Sequence, residues 1–187
     1  MNQLLIAAKE IGDFLTHRDW KFCVIGGLAV QRWGEPRTTL DVDITLFTDL
    51  GQEENYARIL LNHFPSRISD AREFALQHRV LLLRSSNGKD LDIALGALPF
   101  EKTMMERAAP LEFAPGILLP CCTAEDLLIL KVFAGRPRDE LDARSIVARQ
   151  ENLDVGYIRR QLRELARIVD AEDDILQLAK SILQAKT

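Results

Sequence analysis

Apolar positions recur along this chain with two periods, and each predicts a kind of element. Leu4, Leu5, Ile6, Ile11, Phe14 and Leu15 follow helical spacing, which predicts an amphipathic helix over residues 2 to about 17. Phe22-Cys23-Val24-Ile25 is a short apolar run stopped by Gly26-Gly27, so it reads as a buried strand and a tight turn. Leu28 to Trp33 predicts a short helix, and Gly34, Pro36 and Arg37 a loop. From Thr39 to Phe47 the period is two. Leu40, Val42, Ile44 and Leu46 fall on one face, and Asp41, Asp43 and Thr45 on the other.

Glu53 to Phe64 predicts a further helix. Val80–Arg84 and Leu91–Leu95 predict two strands joined through Asn87-Gly88, a hairpin signal, with His78 at the start of the first. Pro99 to Ala109 is helical in pattern, and Leu111 to Leu119, broken by Pro115-Gly116, an irregular strand or hairpin. Beyond Thr123, which with Asp126 forms a variant capping box, every pattern is helical. Leu127–Ala134 is followed by a Gly135-Arg136-Pro137 break, then by Arg138–Arg149, Val155–Val169 and Glu172–Ala185. The expected fold is α/β (α+β). A short mixed sheet flanked by helices occupies residues 1–120, and a helical C-terminal segment packed on that core occupies 121–187.

Composition narrows the classes. The 187 residues are 47% hydrophobic and 28% charged, with a net charge of −4, as in an ordinary globular protein. That balance argues against a general grip on nucleic acid, though a local basic patch stays open. No apolar run approaches the roughly 20 residues that span a bilayer, and residues 1–13 lack the pattern of a signal peptide. Cys23, Cys121 and Cys122 show no Cys-x-x-Cys spacing and read as reduced thiols, so a cytoplasmic location is expected. His17, His63 and His78 are scattered and suggest no zinc site.

Three features carry candidate chemistry. A glycine pair between strand and helix permits close backbone approach and can present N–H groups to a phosphate. Asp41 and Asp43 place two carboxylates on one strand face, where each opposes ionisation of the other, and oxygen donors of this kind suit Mg²⁺ or Mn²⁺. An EF-hand starting at Asp41 is excluded, since its glycine and glutamate positions hold Leu46 and Gln52. A third acid from a neighbouring strand would complete a two-metal site. Asp92, flanked by Leu91 and Ile93, is preferred, with Asp90 on the same face as the alternative.

In this order the elements resemble the nucleotidyltransferase superfamily, whose fold is that of DNA polymerase beta. Its pattern reads here as Val24-Ile25-Gly26-Gly27, thirteen residues, Asp41-Val42-Asp43-Ile44, then Leu91-Asp92-Ile93. Gly27 stands where many relatives have serine. The run Arg37-Thr38-Thr39-Leu40-Asp41-Val42-Asp43 looks like the AbiEii-type branch, which includes toxins of bacterial toxin–antitoxin systems, and Lys131 through Asp142 is similar to that branch's later Lys…Arg…Asp-x-x-Asp motif. The likeness spans roughly residues 20 to 150.

The resemblance implies transfer of a nucleoside monophosphate from an NTP to a hydroxyl acceptor (tRNA, protein or small molecule), with two Mg²⁺ or Mn²⁺ ions. Asp41 and Asp43 would hold both metals, and Asp92 the metal on the nucleophile side. Gly26 and Gly27 would cradle phosphates, and Arg37, Thr39 and Lys131 would serve the nucleotide. Asp139 and Asp142 would shape the rim, although acids in a first helical turn also suit the helix dipole. Lys131, inside an apolar helix, must snorkel to water or find a counter-charge, either a triphosphate or an Asp. An antitoxin partner is implied as a possibility. Alternatives are a small-molecule nucleotidyltransferase of the antibiotic-modifying type, or a non-catalytic nucleotide-binding or regulatory protein of the same fold.

Overall fold

Alternating strands and helices build a six-stranded mixed sheet, seen in a computed structural model that describes residues 2–169 and 172–184. The elements are α1 (Gln3–Thr16), β1 (Phe22–Val24), α2 (Gly26–Trp33), β2 (Asp41–Phe47), α3 (Glu53–Leu61), α4 (Ala71–His78), β3 (Val80–Arg84), β4 (Asp90–Gly96), α5 (Pro99–Arg107), β5 (Ala109–Ala114) and β6 (Ile117–Cys121). Four helices follow: α6 (Ala124–Ala134), α7 (Pro137–Arg149), α8 (Val155–Ile168) and α9 (Glu172–Gln184). The expected end of the last helix, Ala185, lies outside the described residues. The chain divides into two compact units, one of residues 1–28 and 38–122, the other of residues 29–37 and 123–187.

The first unit contains the whole sheet, in the order β3-β4-β2-β1-β6-β5. The central strands β2 and β4 run parallel, while β3–β4, β1–β2 and β5–β6 are antiparallel. Val42, Ile44 and Leu46 of β2 and Leu91, Ile93 and Leu95 of β4 are all buried in one cluster. Leu4, Ala7, Ala8, Ile11, Phe14 and Leu15 of α1 join that cluster, which is why α1 is amphipathic. One face of the sheet is thus apolar and covered, and period two sends Asp41, Asp43, Asp90 and Asp92 to the other.

In the second unit α6 pairs with α7 and α8, and α9 joins all three. Thr123 caps α6 by accepting the Asp126 N–H at 3.2 Å. The Asp126 carboxylate accepts from the Thr123 hydroxyl at 2.7 Å and from Tyr157 at 2.6 Å, a buried tie between α6 and α8. Among the described residues, no helix is long and apolar enough to cross a membrane.

Three expectations need correction. Leu40 is 74% exposed, because the ladder begins one residue later at Asp41 and leaves Leu40 with no strand to pack upon. Thr45, expected on the open face, is buried. His78 closes helix α4 rather than opening a strand, and the turn comes at Arg79, whose φ is +54°.

Candidate functional site

Register, more than proximity in sequence, builds the carboxylate face. In the parallel β2–β4 ladder Asp41 stands opposite Asp90, and Asp43 opposite Asp92. Asp41, Asp43 and Asp92 each offer an oxygen within 4.8 Å of the others, and all three are half-buried.

The glycine pair lies directly against this face. Gly26 has φ +57°, and a Cβ there would overlap the Asp43 carboxylate. A Cβ on Gly27 would overlap the Thr39 hydroxyl. Both glycines are therefore required by close approach, and Gly26 by its backbone angle as well. The Gly27 N–H donates to Asp43 Oδ2 at 3.2 Å, and the Thr39 hydroxyl donates to Asp41 Oδ1 at 2.9 Å. Each carboxylate of β2 thus accepts from a fixed donor.

Two arginines that the sequence pattern did not single out complete the face. Arg67 Nη1 donates to Asp90 Oδ2 at 2.9 Å, and its Nη2 bonds Asp92 Oδ1. Arg84 Nε reaches Asp90 Oδ1 at 3.3 Å. Arg67 precedes α4 in a stretch with no apolar period, so nothing in the pattern marked it. Arg84 is the outward end of β3 in the register row of Asp90 and Asp41, and alternation could have placed it there. Burial raises the Asp92 pKa from its ordinary value; Arg67 opposes that shift, and Asp43, Asp41 and Asp90 add to it.

These residues fit a divalent cation on their own chemistry. All the donors are carboxylate oxygens, as Mg²⁺ and Mn²⁺ prefer. Asp41, Asp43, Asp90 and Asp92 share a face with Arg67 and Arg84, and a divalent ion there would offset carboxylate charge.

The remaining sequence candidates form a second cluster, within the other unit. Lys131 Nζ lies 2.7 Å from Asp139 Oδ1 and 3.0 Å from Asp142 Oδ2. Arg37 makes a two-pronged bridge to Asp142 at 2.7 and 2.8 Å, and Arg136 holds Asp139 at 2.5 Å. The counter-charge that Lys131 requires is supplied by these aspartates. Burial alone would raise the Asp142 pKa, but the bonds from Arg37 and Lys131 outweigh it and hold that carboxyl below its ordinary value. Gly26, Gly27, Thr39, Asp41, Asp43 and Asp92 therefore gather in the sheet unit, and Arg37, Lys131, Asp139 and Asp142 in the helical unit.

Solved proteins share this architecture. An antigenic nucleotidyltransferase-like protein from Paracoccidioides brasiliensis matches with a TM-score of 0.54 at 17% identity, over 95% of this chain and 92% of that one. The antibiotic-resistance factor ANT(2'')-Ia matches with a TM-score of 0.59 at 12% identity, over 89% and 94% of the two chains. The lincosamide antibiotic adenylyltransferase LnuA, with lincomycin bound, matches with a TM-score of 0.50 at 15% identity, over 80% and 99%. No protein-family profile and no curated protein sequence matches the chain. The fold is that of the nucleotidyltransferases, a mixed α/β sheet with helices.

Proposed function

We propose that a chain with this fold and this carboxylate face is a nucleotidyltransferase. It would move a nucleoside monophosphate from an NTP to a hydroxyl acceptor and release pyrophosphate. The observation that carries the reading is the convergence of Asp41, Asp43 and Asp92 oxygens within 4.8 Å, beside a glycine pair where an added Cβ would overlap Asp43 and Thr39.

A divalent cation on these carboxylates would supply Lewis-acid chemistry, drawing charge from the triphosphate and easing ionisation of the acceptor hydroxyl. The chain's own part is placement. Asp41 and Asp43, steadied by the Thr39 hydroxyl and the Gly27 N–H, would be the fixed ligands, and Asp92 would be the ligand on the acceptor side. The acceptor oxygen would form its bond to the α-phosphorus as the bond to the bridging oxygen of pyrophosphate breaks. The hydroxyl proton would pass to the Asp92 carboxylate, the acid placed on the acceptor side. Gly26 and Gly27 would let the triphosphate approach the backbone, with Thr39 beside them. Arg37, Lys131, Asp139 and Asp142, which pair with one another in the helical unit, are assigned to the nucleotide by the sequence resemblance alone. A second ion is expected to come with the triphosphate, which brings negative charge of its own.

The motif run from Arg37 to Asp43 supports reading the chain as an AbiEii-type protein, a cytoplasmic toxin with an antitoxin partner and a tRNA or protein acceptor. A small-molecule acceptor is the second reading. It is favoured by the likeness to ANT(2'')-Ia and LnuA, proteins described as an antibiotic-resistance factor and an antibiotic adenylyltransferase. Incubation with Mg²⁺, α-labelled NTPs and panels of tRNA, protein, aminoglycoside and lincosamide acceptors tests both. Label on one class of acceptor, lost in Asp43→Asn, is the expected result. Absence of label on every class would count against transfer.

A further inference from the structure

Arg67 reaches the carboxylate face along a single row of the sheet. Residues 65–67 lie along the outer edge of β3: Ser66 bridges Leu83, the Arg67 N–H donates to Leu82 O at 2.9 Å, and Arg84 N–H donates to Pro65 O at 2.8 Å. Leu82 is registered with Asp92, and Asp92 with Asp43. One row therefore runs Arg67, Leu82, Asp92, Asp43, and it brings a guanidinium to the acid on which the proposed site depends.

The fork is held at two points and unsatisfied at a third. Its two Nη atoms take Asp90 and Asp92, one carboxylate each. Its Nε is buried and has no hydrogen-bond partner. An orphaned buried donor costs free energy, which offsets part of what the two charge-assisted bonds contribute. Arg67 is thus well placed to neutralise β4 when nothing else does, and only partly satisfied while doing so.

We propose that Arg67 is a positioning residue that acts as a displaceable internal counter-cation. It would hold Asp92 and Asp90 in place when no divalent ion is bound and compete with that ion for Asp92. This deepens the reading above and rests on the carboxylate face being its cation site. Asp90 has a second cation, Arg84, so its charge stays compensated when Arg67 shifts. Asp92 is paired with Arg67 and shares the face with Asp41 and Asp43. The competition therefore centres on Asp92.

The test is titration of the full chain with Mn²⁺, followed by the electron paramagnetic resonance signal of free Mn²⁺, alongside thermal unfolding in chelator. Arg67→Gln and Arg67→Met are expected to bind Mn²⁺ at least about tenfold more tightly than the parent, because a positive charge next to the ion is gone. They are also expected to unfold at lower temperature in chelator and to recover the difference when Mn²⁺ is added. Arg67→Lys keeps a charge but not the fork, so its affinity should fall between those of the parent and Arg67→Gln. Equal or weaker Mn²⁺ affinity in Arg67→Gln and Arg67→Met overturns the proposal. If neither variant folds without the ion, Arg67→Lys decides, and affinity no tighter than the parent's overturns it. Asp43→Asn separates the two ideas. If it loses Mn²⁺ binding while the Arg67 variants show no gain, the counter-cation role alone fails. If Asp43→Asn binds as tightly as the parent, the cation site fails, and the proposed function with it.

Discussion

Asp43 and Asp92 stand directly opposite each other on adjacent parallel strands, two acids in one register row. Such a row is unfavourable for folding unless something compensates it. The raised Asp92 pKa registers that conflict, with burial as its largest cause. A carboxyl raised in the folded state lowers stability as pH climbs from the ordinary carboxylate value through its own higher one. In chelator, the parent chain should therefore lose stability as pH rises from the ordinary carboxylate value through the raised one. Asp92→Asn should lack that component of the decline and melt at a higher temperature than the parent at neutral pH. With Mg²⁺ the order should reverse, since the parent gains more from the ion than a variant that keeps only Asp41 and Asp43 as charged ligands. Thermal melts across pH, with and without Mg²⁺, check both halves.

Gly26→Ala probes the turn. At φ +57° an alanine costs about 1–2 kcal/mol, and its Cβ must also displace the Asp43 carboxylate. We expect a stable but weakened fold that has lost Mn²⁺ binding. Denaturant unfolding measures the first effect and Mn²⁺ titration the second. Gly51→Ala is the control. It has a similar positive φ of +78° but open space around the added methyl, so it should lose stability and keep Mn²⁺ affinity.

The Lys131 cluster predicts an acid response of opposite sign. The Asp142 carboxyl is held below its ordinary value, so its contribution to stability is complete above that value and is lost as pH falls through the lowered one. Asp142→Asn removes the charge that Arg37 and Lys131 face and leaves one amide oxygen in place of two acceptors, while Asp139 stays at 2.7 Å from the lysine. Breaking a pair whose acid is only 4% exposed should cost about 3 kcal/mol. Urea unfolding at neutral pH should show that loss, and the difference between parent and variant should narrow in strong acid.

Much of the sheet was legible because its strands obey period two so cleanly. Val42, Ile44 and Leu46 alternate with Asp41 and Asp43, and Leu91, Ile93 and Leu95 with Asp92. What no single strand could state was register. Only the ladder sets Asp43 against Asp92 and Asp41 against Asp90, so both β4 acids come to the face and the choice between them stayed open in the sequence. Arg67 left no trace because it lies on an edge segment whose position depends on β3. Helix α4 was hidden for a different reason. Its buried residues are two alanines, Ala71 and Ala75, whose hydrophobic signal is too weak to stand out. The partner of Lys131 was likewise undetermined in sequence, because it takes the Gly135–Pro137 turn to return Asp139 and Asp142 to the helix that carries the lysine.

A crystal grown with Mn²⁺ and a non-hydrolysable NTP analogue tests the central claim most directly, through the anomalous signal of the metal. The account predicts a peak bonded to oxygens of both Asp41 and Asp43, with the triphosphate on the same ion and the glycine turn beside it. An analogue bound with no metal at these carboxylates, or a metal seated elsewhere in the chain, would contradict it.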